Sequence, residues 1–101
     1  MPLSDEEIEA LRLERLEALA EDCDMSADEL SETSQRGSIS FHEALHTAFL
    51  AMDFNDRHLM DHPAILADPA LYRLAQKVHE HLSVLYEQIG KMALEGDKEW
   101  H

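Results

Sequence analysis

The sequence predicts an all-α fold, and three observations carry the prediction. Glycine and proline number only three each in 101 residues, and no stretch alternates apolar with polar residues for long enough to make a half-buried strand. Three Ser-x-x-Glu sequences, at Ser4–Glu7, Ser26–Glu29 and Ser40–Glu43, and one Asp68-Pro69 pair are helix-start signals. Leu71, Ala75, Val78, Leu82, Leu85, Ile89 and Met92 follow one another at spacings of four and three, an unbroken heptad seam.

The elements follow in order. A first helix starts at Ser4, with acids at the positive end of its dipole and an apolar set of Ile8, Leu11, Leu16, Leu19 and Cys23. A short second helix is expected from Ser26 through Leu30. Residues 33–39 hold turn formers and one glycine and read as the linker between an acidic N-terminal segment (1–32) and a helical core (40–96). A third helix is capped at Ser40 and runs over about 41–60. It ends before His62-Pro63, because proline disfavours helical geometry in the residue preceding it. A turn of helix at Pro63–Ala67 fits the connection. The last helix covers about 69–92, stopping at Gly90 or Gly96, and leaves 97–101 as a tail in which Trp100 frays.

Helices 41–60 and 69–92 are joined by a short connection and should lie antiparallel, as a helical hairpin. The seam facing the heptad is Phe41, Leu45, Ala48, Met52 and Leu59. Leu50 and Phe54 form a second strip on the same helix, pointing away from the first by more than a right angle. Burying a large apolar side chain is worth about 1.5–3 kcal/mol, so a second surface should cover this strip. Either the N-terminal helix does so or a second copy of the chain does. A homodimer that completes a helical bundle is the expectation, with Leu50, Phe54, Leu82, Leu85 and Ile89 at the interface.

Charge narrows the partners. The formal charge is −14, and residues 1–32 hold 12 acidic against two basic side chains. Nucleic acid and anionic membrane are excluded, because phosphate binding rests on Lys and Arg. The longest apolar run, Ala48–Met52, is too short for a bilayer. The N-terminus lacks a signal-peptide pattern and Cys23 is the only cysteine, so a cytoplasmic protein without disulfides is expected. The partner expected is another protein, most simply a second copy.

Seven histidines stand out. His42-Glu43-Ala44-Leu45-His46 matches the H-E-x-x-H pattern of zinc proteases, in which two imidazoles on one helix face bind the metal. The metzincin continuation requires Gly at 49 and His at 52, where this chain has Phe49 and Met52, so that chemistry is set aside. Glu43-x-x-His46 also has the i, i+3 spacing of di-iron carboxylate bundles. With His42 it makes the metal alternative: a ferritin-like iron or zinc site at a dimer interface, completed by Glu80 or Glu87. His62 should cap or line a turn, and His79 and His81 should lie at the seam's edges, reaching water. Leu19–Leu30 resembles a helix-turn-helix corner at Ala20, Asp24 and Leu30, with Asp accepting the left-handed backbone of the turn. Its second helix carries no base, so it reads as a packing corner rather than a DNA reader. No catalytic constellation is present. The expected function is a self-associating or protein-interaction module, without catalysis and without a cofactor.

Overall fold

The computed structural model describes residues 2–35 and 38–99, with side chains through Leu94. Among the described residues every regular element is helical and no strand occurs. The chain divides into two units, residues 1–35 and 36–101.

The first unit holds α1 (Asp5–Asp22) and α2 (Ala27–Thr33). The Ser4 hydroxyl accepts from the Glu7 N–H at 3.1 Å, and the Glu7 carboxylate accepts from the Ser4 N–H at 3.2 Å, a complete capping box. Arg12 donates to both carboxylate oxygens of Glu9, which holds the Glu9 carboxyl below its usual range. α1 stops in a Schellman turn. The Met25 N–H reaches back to the Ala20 carbonyl at 2.9 Å and the Asp24 N–H to Glu21 at 3.1 Å, with Asp24 left-handed at φ 55°. Ala20 is buried inside the corner, with Leu16, Ala27 and Leu30 half-buried. The expected apolar set of α1 is corrected: Ile8, Leu11, Leu19 and Cys23 are exposed, because the turn draws the 16/20 edge of the helix inward. Glycine adopts left-handed geometry without the Cβ clash that Asp24 bears. Asp24→Gly should therefore tighten the corner by about 0.5–1 kcal/mol, slowing amide exchange at Met25 about two- to fivefold.

The second unit holds α3 (Ile39–Phe54), a π-helical turn (Asn55–Leu59), α4 (Pro63–Leu66) and α5 (Pro69–Glu99). Ser38, not Ser40, caps α3, accepting from the Phe41 N–H at 3.1 Å. Ser40 lies inside the first turn, so its spacing to Glu43 is incidental. His62 caps α4 as expected: its Nδ1 accepts from the Ala64 N–H at 3.1 Å, with Pro63 in the first turn. Asp68 starts α5 in the same way, one carboxylate oxygen accepting from Ala70 and Leu71 at 2.9 and 3.1 Å. α5 then runs through Gly90 and Gly96 to Glu99, which takes in part of the expected tail; Trp100 lies outside the described residues.

α3 and α5 run antiparallel. Leu45 lies against Gly90, Phe49 against Tyr86 (ring centroids 6.1 Å apart), and the Ser83 hydroxyl donates to the Met52 sulfur at 3.4 Å. The partner's number falls along α5 in step as it rises along α3. The core between them is built from small residues: Ala48, Ala75 and Ala93 are buried, and Phe41, Leu45, Met52, Leu82 and Ile89 are half-buried around them. Gly90 costs helix stability without a packing reason. A Cβ there would meet Leu45 Cδ1 at 3.6 Å, an ordinary contact. Gly90→Ala should stabilise the chain by about 1 kcal/mol and raise Tm by about 4–8 °C in thermal unfolding.

Two expectations about this pair need correction. Leu59 is 40% exposed whereas Met60 is 6% exposed. The Met60 N–H bonds the Asn55 carbonyl, i to i+5, at 2.9 Å. The residue this π turn adds rotates everything after it by about 100°, so Met60 takes the inward place meant for Leu59. The heptad seam of α5 is also split. Its inward edge faces α3, but Leu71, Val78 and Leu85 are about half exposed. The face actually used is centred on Ala75, His79, Tyr86 and Ala93, roughly 75° round the helix from those three.

Candidate interaction surface

The functional question turns on the apolar side chains that the α3–α5 pair leaves outside. On α3, Leu50 is 50% and Phe54 65% exposed. At about 100° per residue both lie on the side of α3 turned away from α5, because Phe41, Leu45, Ala48 and Met52 occupy the opposite side. Phe54 is flanked by the His58 ring, centroids 4.6 Å apart. On α5, Leu71, Leu74, Val78 and Leu85 form one narrow exposed strip, and half-buried Met92 continues it. Val84 and Leu94 are exposed outside this strip.

Helix handedness decides which broad side of the pair each strip faces. Viewed down α3 from its N-terminus, successive residues turn clockwise, and along the antiparallel α5 they turn counter-clockwise. The α5 strip then lies on the same broad side as Ala44 and Ala51 of α3, both exposed. Phe49, Gln76 and Ser83 lie on the other side. The first side is therefore a row of large apolar side chains beside a shelf of methyl groups. Leu82 and Ile89 lie at the inner border of that row, half-buried between it and α3. Leu50 and Phe54 mark the outer edge of α3.

The metal candidates lie elsewhere. His42, Glu43 and His46 are exposed, with Glu43 and His46 on the half of α3 away from α5. The Glu43 carbonyl accepts from the Thr47 hydroxyl at 2.9 Å, a bond local to the helix. Glu80 and Glu87 are exposed on the outer half of α5, and the Gln76 amide donates to Glu80 at 3.5 Å. Among the described residues no three His, Cys, Asp or Glu side chains converge on a point that would hold a metal. Within one chain, Glu43 and His46 are not brought to Glu80 or Glu87.

One polar feature was not legible in the sequence. Asn55, at the start of the π turn, is 5% exposed, and its Nδ2 has no hydrogen-bond partner. The Nδ1 of His79 is likewise buried and unpartnered. The antiparallel register sets both in the layer where the π turn meets α5. His79 is thus turned toward the helix pair, correcting the expectation that it reaches water; His81 is exposed. The i+5 turn itself carries no strong sequence signal, although an asparagine within an otherwise inward apolar column hints at it.

Among the described residues no helix is long and apolar enough to cross a membrane. Comparison with protein-family models, with curated proteins and with solved structures finds no match to this chain.

Proposed function

We propose that the protein is a non-enzymatic, acidic helical module that associates through its helix faces, and that its α3–α5 hairpin is one half of a homodimeric four-helix bundle. The observation that carries this reading is the exposed strip of Leu71, Leu74, Val78 and Leu85 beside Ala44 and Ala51. A contiguous apolar face on a chain with 30% charged residues is expensive to leave in water and is the usual mark of an interface. Charge permits self-association. Residues 33–101 hold ten acids against six bases, so the core is far less negative than the N-terminal segment.

Light scattering coupled to size exclusion tests the reading. The mass should be twice 11.5 kDa at micromolar concentration; a monomer mass throughout the accessible range would overturn it. The alternative, an iron or zinc site built from Glu43, His46 and His42 of two copies, needs a different face, since Glu43 and His46 lie away from the α5 strip. Metal analysis of untagged protein separates the two, because a bound native-state ligand must raise the melting temperature.

A further inference from the structure

We infer that the occupant of the α5 strip is the α5 strip of a second copy, antiparallel to it, with Val78 against Leu85 and Leu71 against Met92 across a two-fold axis between His81 and Leu82. This rests on the self-association proposed above and specifies its face, partner and register. Leu71, Val78, Leu85 and Met92 recur every seven residues, so the spacing of this all-apolar row is the same from either end. A two-fold interface requires such self-complementarity, since each patch must meet its own copy. A seven-residue repeat allows several antiparallel registers, with the axis at Val78, at Leu85 or midway. Only the midway register pairs all four residues; the others leave one unmatched. The neighbouring α3 shelf of Ala44 and Ala51 lets the second α5 settle close to both helices, as small residues do at helix crossings.

A specific interface removes about 800 Å² from each partner. The row from Leu71 to Met92 runs about 30 Å along α5, long enough to carry such a contact.

Single-cysteine chains in a Cys23→Ser background test the register. Val78→Cys and Leu85→Cys replace exposed side chains, so folding should persist, and far-UV circular dichroism checks it. Under mild oxidation the two chains should link when mixed and remain almost unlinked alone. In the midway register each residue lies about 10 Å along the axis from its own copy, beyond disulfide reach. Linking of each chain alone would mean a parallel pair and would overturn the inference. A dimer by light scattering that links in no combination would place the interface on another face, overturning the inference while leaving self-association intact. A monomer that links in no combination would overturn both.

Discussion

Leu85→Glu should convert the proposed dimer to monomers without unfolding the chain. Leu85 is about half exposed on α5, outside the contact with α3, so a carboxylate there meets water in the monomer. In the dimer each copy would press that carboxylate onto Val78 of the other. Two charges would be stripped of water, with His81 the only basic side chain near them, because Arg73, Lys77 and Lys91 fall on the outer half of α5. Truncating a central interface side chain costs about 2 kcal/mol or more, and the symmetry applies it twice. A total of about 4 kcal/mol weakens association about a thousandfold. Sedimentation equilibrium should give a monomer mass at concentrations where the parent is dimeric, with helicity unchanged. Ile39→Glu is the matched control. Ile39 is more exposed than Leu85 but lies at the start of α3 on its outer side, so the dissociation constant should move by less than about threefold. Equal effects at the two sites would show that the response is to charge in general and not to a particular face.

Ala48→Leu should destabilise the chain through its core. Ala48 is buried on the inner face of α3, and the layers on either side are set by contacts of Leu45 with Gly90 and Met52 with Ser83. The helices approach closely because these positions are small. Three added carbon atoms at this buried position between the helices should push them apart and loosen the Phe49–Tyr86 and Met52–Ser83 contacts. Overpacking of this kind costs about 1–3 kcal/mol. For a domain this small, that corresponds to a drop in Tm of roughly 5–20 °C in a calorimetric or circular dichroism melt. The contrast with Gly90→Ala, which adds one carbon where a contact distance of 3.6 Å admits it, separates loss through crowding from gain through helix propensity.

The parts of this fold that were legible in the sequence are those decided locally. Ser4, Ser26, His62 and Asp68 each satisfy backbone donors within three residues, so capping chemistry places their helices without knowledge of the rest. Asp24 was legible for the same reason, since few residues other than glycine tolerate its backbone angle. What was not legible depends on neighbours. Ser38 and Ser40 are equally good caps by type, and the body of the unit selects the earlier one. The π turn depends on how Asn55 and Met60 fit against α5, and its one added residue exchanged Leu59 for Met60. Alanines 48, 75 and 93 make the core, yet alanine in a sequence does not distinguish core from surface.

The candidate surface was partly legible. The heptad pattern identified the apolar residues of α5 but not how they divide between α3 and the outside. Once Ala75 and Ala93 face α3, Leu71, Val78 and Leu85 must turn outward. The outward angle of Leu50 and Phe54 was legible from their spacing to Phe41, Leu45 and Met52, but the α5 contact proposed above leaves both outside the interface expected to cover them. Glu43 and His46 shared that strip by spacing, and spacing alone does not bring in a third ligand.

In the proposed dimer the outward row of α5 is covered by its own copy. Filtered nuclear Overhauser spectroscopy on an equimolar mixture of ¹³C-labelled and unlabelled chains tests it most directly. Cross-peaks between the Val78 methyl groups of one chain and the Leu85 methyl groups of the other are the expected result. A spectrum without intermolecular methyl contacts at millimolar concentration, with relaxation that reports an 11.5 kDa particle, would contradict it.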